Sequence, residues 1–203
     1  MIAIVDYGRG NLRSVEKGFQ KVGIEACVIT EPRAIDNASA LVLPGVGAFR
    51  DCMSNLENMN LTEAVIRSVQ KGKPFLGICL GLQVLFTESE EFGICRGLGI
   101  LAGRVKKFQA GLKVPHMGWN TVDIVRKPPV FDGIHDRSFF YFVHSYYVAP
   151  LDSDVIAATT DYGVTFASMV WKDNILATQF HPEKSQETGL RILRNFGALA
   201  RKG

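Results

Sequence analysis

The hydrophobic positions in the first half of the chain form short apolar runs that alternate with segments of helical spacing. The runs that predict strands are residues 2–6, 24–30, 40–43 and 74–79. Residues 12–22 and 61–71 predict helices, the first capped by Asn11, and a further helix is predicted over 80–87. Pro44 is expected to end the third strand. This alternation predicts an α/β fold with a mostly parallel central sheet flanked by helices.

The second half has a different pattern, in which short strands follow one another with turns between them. These strands are predicted over residues 104–108, 120–125, 139–143, 154–160, 165–171 and 174–179. A hairpin is expected around residues 172–174, and an apolar stripe predicts a final helix over 187–201. We expect additional antiparallel strands in this half, within a single domain that covers residues 1–203.

The composition excludes several classes of protein. Of the 203 residues, 47% are hydrophobic and 21% are charged, which is typical of a globular domain. The net charge of +3 comes without a basic block, so no nucleic-acid partner is expected. No apolar run approaches the roughly 20 residues of a membrane span, and the N-terminus lacks the pattern of a signal peptide. The four cysteines contain no C-x-x-C pair, so we expect free thiols in a cytoplasmic protein without a metal or cofactor.

The most specific local motif surrounds Cys79. The cysteine stands where a buried strand passes directly into a helix, with Gly77 and Gly81 two residues to either side. This is the layout of a nucleophile elbow with sulfur in place of oxygen. The helix N-terminus favours a thiolate over a thiol. The alternative is a packed core thiol, but the paired glycines favour a nucleophile.

A cysteine nucleophile needs a base, and His181 follows the predicted strand 174–179. Pro182 biases His181 towards an extended conformation, in which residues two apart project to the same side. Glu183 can therefore orient the imidazole, which completes a nucleophile, base and acid. The alternative is a surface histidine in a turn.

The glycine-rich segment after the third strand supplies candidate donors for an oxyanion. Residues 44–47 read Pro-Gly-Val-Gly and lie at the same sheet edge as Cys79. Backbone at Gly45 and Gly47 can approach a reaction intermediate closely, and the N–H of Leu80 points to the same space. Taken alone, this segment is equally compatible with an ordinary turn between a strand and a helix.

Together these motifs resemble the class I, or triad, glutamine amidotransferases. Within that family the resemblance is closest to the glutaminase subunits of imidazole glycerol phosphate synthases. The segments that support it are Asp6–Leu12, Pro44–Phe49, Gly77–Gln83, Pro115–Asn120, Tyr141–Tyr146 and His181–Ser185. The similarity thus spans the whole chain, although Gln186 stands where glycine is more usual.

The resemblance implies the hydrolysis of glutamine to glutamate and ammonia. Cys79 would form a γ-glutamyl thioester, His181 would act as general acid and then base, and Glu183 would orient His181. The resemblance also places Gln83, Ser145 and Tyr146 near the substrate. Strand alternation predicts that only one of Ser145 and Tyr146 faces the site.

The implied partner is a separate (β/α)₈-barrel synthase subunit, which would use the ammonia to make imidazole glycerol phosphate and aminoimidazole carboxamide ribotide in histidine biosynthesis. Lys184, Tyr141 and Trp119 are the candidate interface residues. Three alternatives stay open: the glutaminase of another class I amidotransferase, a stand-alone γ-glutamyl cysteine hydrolase, and a binding module in which Cys79 is structural.

Overall fold

The computed structural model of the protein describes residues 1–109 and 111–201. Within them the strands are β1 (Ile2–Val5), β2 (Ala26–Ile29), β3 (Ala40–Gly45), β4 (Phe75–Cys79), β5 (Phe86–Ser89), β6 (Cys95–Arg96), β7 (Leu101–Lys107), β8 (His116–Ile124), β9 (Ser138–His144), β10 (Tyr146–Pro150), β11 (Ile156–Asp161), β12 (Thr165–Lys172) and β13 (Ile175–Thr178). The α-helices are α1 (Leu12–Lys21), α2 (Pro32–Asn37), α3 (Phe49–Asn58), α4 (Leu61–Gln70), α5 (Leu80–Gln83) and α6 (Gln186–Ala200). Short 3₁₀ turns cover Pro129–Phe131, Ser153–Val155 and Pro182–Lys184.

The strands form one mixed sheet in the order β2-β1-β3-β4-β13-β12-β10-β7-β5-β6. The first five strands in this order are parallel, and their side chains are almost all buried because helices cover both faces. From β13 to β12, and from there to β10 and β7, the pairing is antiparallel. A side branch runs from β12 through β11 and β8 to β9. The predicted α/β class with additional antiparallel strands is therefore confirmed.

Two apolar clusters fill the space on the two faces of the sheet. One cluster joins the sheet to α3 and α4 through residues such as Phe49, Leu56 and Val65. The other joins it to α1 and α6 through Phe19 and Phe196, whose rings lie 6.4 Å apart. None of the described helices combines the length and the apolar character that crossing a membrane requires.

The structure corrects three local predictions in the first half. Pro44 does not end β3, which continues to Gly45. Its missing N–H is tolerated because pairing with β1 has already stopped at Val42, and only β4 continues alongside. Asn11 precedes α1, but its side chain makes no capping hydrogen bond. The helix predicted over 80–87 is the short α5 alone, because the chain then turns into β5, which pairs with β6 and β7.

In the second half the hairpin and the final helix are confirmed. Strands β12 and β13 pair through the turn at Asp173, which has φ +50°, and α6 begins at Gln186. Gln186 itself has φ +50°, the left-handed conformation that explains why glycine is usual there. The strand β10 was not predicted, because it is separated from β9 only by a bend at Ser145.

Candidate active site

Cys79 occupies a strained turn between β4 and α5. Its backbone has φ +56° and ψ −106°, a region that side-chain-bearing residues rarely adopt and that costs about 1–3 kcal/mol. A Cβ on Gly77 would lie 2.7 Å from the Gly81 carbonyl oxygen, and a Cβ on Gly81 would overlap the Leu43 carbonyl oxygen. Only glycine fits at both positions, so the sequence pattern Gly-x-Cys-x-Gly produces the predicted elbow.

The sheet register brings the three predicted catalytic segments to one edge. Gly45 of β3 pairs with Cys79 of β4, and Thr178 of β13 pairs with Ile78. Because these strands are parallel, the segments that follow them leave the sheet on the same side. His181, three residues after β13, is held there by its N–H, which donates to the Tyr141 carbonyl at 2.9 Å.

His181 and Glu183 form a buried pair, as their spacing predicts. His181 Nδ1 lies 2.8 Å from Glu183 Oε1, and the two side chains are 3% and 1% exposed. Burial by itself lowers the pKa of His181, but attraction to Cys79 and the hydrogen bond to Glu183 outweigh it, so the pKa is raised. Within the described residues, His181 Nε2 makes no hydrogen bond and is free to exchange a proton.

The sulfur of Cys79 is contacted by two groups that the motifs did not reveal. Gln179 Nε2 donates a hydrogen bond to Sγ at 3.6 Å, and Sγ lies 3.8 Å from the Val143 carbonyl oxygen. Gln179 is fully buried. A buried glutamine at the end of an apolar strand, two residues before His181, was the signal that could have identified it.

A cleft of about 260 Å³ opens beside Cys79. Its lining residues are Val46, Gly47, Cys79, Leu80, Gln83, Glu91, Pro115, Val143, His144, Ser145 and Tyr146. The cleft is slightly smaller than the usual range for drug-sized ligands, which suits one small molecule.

The cleft brings together most of the predicted binding residues. Gln83, Gly47 and Leu80 line it. Gly45 does not, because it is buried in β3, where an added Cβ would overlap the Tyr7 hydroxyl. Ser145 and Tyr146 both line the cleft; that only one of the two side chains contacts the substrate stays a prediction. The bend at Ser145 interrupts the strand and with it the alternation of side chains.

Glu91 is a cleft residue that the sequence reasoning missed. Its Oε2 accepts a hydrogen bond from the Phe49 N–H at 2.6 Å, at the start of α3. Burial, followed by the nearby Glu91 carboxylate, raises the pKa of Tyr146. The acidic run at residues 88–91 was the available signal, but nothing local indicated which carboxylate turns towards Cys79.

The three candidate interface residues lie together on an outer face next to the triad. The rings of Trp119 and Tyr141 meet edge to face at 6.1 Å, and Lys184 Nζ lies 5.8 Å from the Tyr141 ring centre. Trp119 is 46% exposed, unusual for so large an apolar side chain. Tyr141 is tied to the triad segment, since its N–H donates to Ser185 Oγ at 3.0 Å.

The family model for glutamine amidotransferase class-I matches residues 3–199. The chain belongs to the class I glutamine amidotransferases. This glutamine amidotransferase is 60% identical to the "Imidazole glycerol phosphate synthase subunit HisH" of Syntrophotalea carbinolica, over 98% of this chain and 100% of that protein. It is 53% identical to the protein of the same name from Methanothermobacter thermautotrophicus, over 99% and 100% of the two chains. A crystal structure described as a glutamine amidotransferase shares the fold, with a TM-score of 0.78, 21% identity and coverage of 99% and 100%.

Proposed function

We propose that this amidotransferase is the glutaminase subunit of an imidazole glycerol phosphate synthase, acting in the cytoplasm as a single domain. The observation that carries the proposal is the strained elbow that presents Cys79 to a cleft of amino-acid size, beside the buried His181–Glu183 pair. Free thiols at all four cysteines agree with a reducing compartment.

The reaction starts with attack of the Cys79 sulfur on the side-chain amide carbon of glutamine. As the C–S bond forms, the thiol proton of Cys79 passes to His181 Nε2; the C–N bond then breaks, and His181 gives that proton to the leaving nitrogen, which departs as ammonia. In the second half, His181 takes a proton from water as the water oxygen attacks the thioester carbon. The C–S bond breaks, glutamate leaves, and Cys79 is restored.

Glu183 keeps His181 in the orientation that both halves of the reaction need. With Nδ1–H donating to Glu183 Oε1, the ring presents Nε2 to the sulfur and the substrate. The carboxylate stabilises the imidazolium each time it forms. This agrees with the raised pKa of His181.

The negative charge on the tetrahedral oxygen would be bound by backbone N–H groups of Leu80 and the Gly47 segment. Leu80 is the first residue of α5, so its N–H belongs to the positive end of the helix. Gly47 has φ +96° and open space around its Cα. Its peptide units can therefore rotate at little steric cost, and we propose that partner binding aligns them.

The ends of the cleft suit the remaining groups of a free amino acid. Glu91, the one carboxylate among the described cleft residues, would bind the α-ammonium group. Gln83, Ser145 and Tyr146 would contact the amide and main-chain groups. A site with both a carboxylate and a cysteine nucleophile favours glutamine over an acyl substrate without an amino group.

The partner would be a (β/α)₈-barrel subunit that receives the ammonia and forms imidazole glycerol phosphate and aminoimidazole carboxamide ribotide. Trp119, Tyr141 and Lys184 supply an exposed aromatic and cationic surface for it, connected to the triad through Ser185. Aromatic residues on an outer face are common anchors of interfaces.

The test compares glutamate release by the chain alone, with a barrel subunit, and with the barrel plus its nucleotide ligand. The proposal predicts glutamine turnover that rises at each step, with product formed only when the barrel is present. Equal rates in all three conditions would point instead to a stand-alone hydrolase. If glutamate release rises but no imidazole glycerol phosphate forms, the chain would belong to another amidotransferase.

A further inference from the structure

Two buried histidines outside the triad face each other at the base of the cleft. His116 begins β8 and His144 ends β9, and the two residues are directly opposite in the sheet register. His116 Nδ1 lies 2.9 Å from His144 Nε2. Both side chains are buried, and His144 lines the cleft. The proposed reaction steps use neither of them.

The groups that contact the two histidines determine which of their ring nitrogens donate and which accept. Asn120 Oδ1 accepts from the Thr121 N–H and Nδ2 donates to the Asp161 carbonyl, which sets the amide orientation. Asn120 Nδ2 therefore donates to His116 Nε2, at 3.2 Å. His116 must then carry its proton on Nδ1 and donate to His144 Nε2.

The same logic continues to the far side of His144. Because its Nε2 is an acceptor, the proton of neutral His144 is on Nδ1, which donates to the Tyr146 carbonyl at 2.8 Å. A second proton on either ring would set two donors against each other.

The surroundings keep both rings neutral. His116 stacks on Phe142 and Tyr162, with ring centres 4.9 and 4.0 Å away, and Phe108 packs against His144 at 5.2 Å. Burial lowers the pKa of His116 to about 4 and is the main cause that lowers the pKa of His144 to about 3.

From the Tyr146 carbonyl the hydrogen bonds lead to the nucleophile. Gln83 Nε2 donates to this carbonyl at 3.0 Å and to Gln179 Oε1 at 3.1 Å. With its oxygen held in this way, Gln179 turns its amide nitrogen to Cys79 Sγ, at 3.6 Å. The hydrogen bonds from Asn120 through the two histidines lead to the Tyr146 carbonyl, which accepts from both His144 and Gln83, and from Gln83 they continue through Gln179 to the sulfur.

We propose that Gln179 stabilises the thiolate of Cys79 through this N–H, and that His116 and His144 are positioning residues that hold Gln83 and Gln179 in the required orientation. The proposal deepens the proposed function, since it assumes that Cys79 is the nucleophile. A hydrogen bond to a charged acceptor is stronger than one to a neutral acceptor, so the donor favours the thiolate over the thiol.

The test measures how fast iodoacetamide alkylates Cys79 in the full-length chain, by mass spectrometry of digested peptides. Cys27 and Cys95, in the same digest, are internal references. Gln179→Met keeps the length of the side chain but removes the donor. The matched control is Ser168→Ala, which removes a buried hydroxyl without a partner among the described residues, next to Gln179 in the structure.

We expect Gln179→Met to slow alkylation of Cys79 at pH 7 by about tenfold, since a charged hydrogen bond is worth about one order of magnitude. Ser168→Ala and the two reference cysteines should keep their rates. Gln179→Leu, which is similar in size and has no donor, should slow Cys79 at least as much. If either folded Gln179 variant alkylates at the wild-type rate, the role of Gln179 is overturned.

The positioning role is tested by a double-mutant cycle. His144→Phe removes the donor to the Tyr146 carbonyl and should slow Cys79 by about threefold, because part of a neutral hydrogen bond is lost. If His144 acts through Gln179, the double variant is no slower than Gln179→Met alone. If the rate reductions of the two single variants multiply in the double variant, the positioning role of His144 is overturned. Alkylation needs no glutamine. If the chain shows these alkylation rates but has no glutaminase activity, the proposed function is contradicted and the inference about Gln179 is not.

Discussion

The substitution Glu183→Gln tests whether the buried carboxylate supports catalysis through its charge. Glutamine has the same shape as glutamate and still offers an oxygen to His181 Nδ1 at the 2.8 Å position. It carries no charge, so it stabilises an imidazolium poorly. The variant therefore separates orientation from electrostatic stabilisation.

The size of the effect follows from the burial of the pair. Both side chains are nearly inaccessible, with 3% and 1% exposure, so solvent screens their attraction little. Loss of one partner from a buried ion pair costs about 3–5 kcal/mol. If that loss falls on the states in which His181 is protonated, turnover drops by about two to almost four orders of magnitude, since about 1.36 kcal/mol corresponds to tenfold.

The assay is steady-state glutamate release by the assembled synthase with its nucleotide ligand present. The matched control is Glu187→Gln, an acidic residue in the first turn of α6, which should leave turnover unchanged. An unchanged melting temperature of Glu183→Gln checks that the variant is folded. Turnover within threefold of the wild type would refute the reasoning and mean that another group orients and stabilises His181.

Three further predictions address other parts of the site. Burial lowers the pKa of His116 and His144, so as the pH falls both residues bind protons in the unfolded chain before they do so in the folded one. The free energy of unfolding should therefore fall as the pH is lowered from 6.5 to 4, by up to about 1.36 kcal/mol per pH unit for each histidine. Urea titrations should show a shallower fall for His144→Phe, and parallel curves would contradict this. Gly47→Ala and Gly72→Ala each place a methyl group at a positive φ in open space, and each should lower the free energy of unfolding by about 1–2 kcal/mol. Only Gly47→Ala should also reduce glutamine turnover, because only Gly47 lines the cleft. Lys184→Ala should weaken binding of the barrel subunit in calorimetry without lowering the melting temperature; unchanged affinity would remove Lys184 from the interface.

The sequence is most informative where chemistry depends on local geometry. The elbow is fixed by Gly77 and Gly81 over five residues, and the His181–Glu183 pair needs only an extended dipeptide spacing. The parallel half of the sheet follows from apolar runs that alternate with helical segments. These features have local sequence patterns and can therefore be predicted from the chain, although the fit at Gly81 also depends on the Leu43 carbonyl of β3.

Features that depend on pairing between distant segments could not be predicted in this way. His116 meets His144 only because β8 and β9 pair in one register, 28 positions apart in the chain. Helix α5 ends at Gln83 because the chain that follows pairs with β7 as strand β5, and two successive residues at the bend, Ser145 and Tyr146, line the cleft. Glu91 reaches the cleft through its contact with the start of α3.

The most direct test of the central claim uses Cys79→Ala in the complex with the barrel subunit. The claim is that this chain only supplies ammonia, and that Cys79 is the group that releases it from glutamine. With glutamine as the nitrogen source, the variant complex should form no imidazole glycerol phosphate and no glutamate. With added ammonium it should form product at the wild-type rate, because the barrel is unchanged. Glutamine hydrolysis by the purified variant, or loss of the ammonium-dependent reaction in an intact complex, would contradict the account.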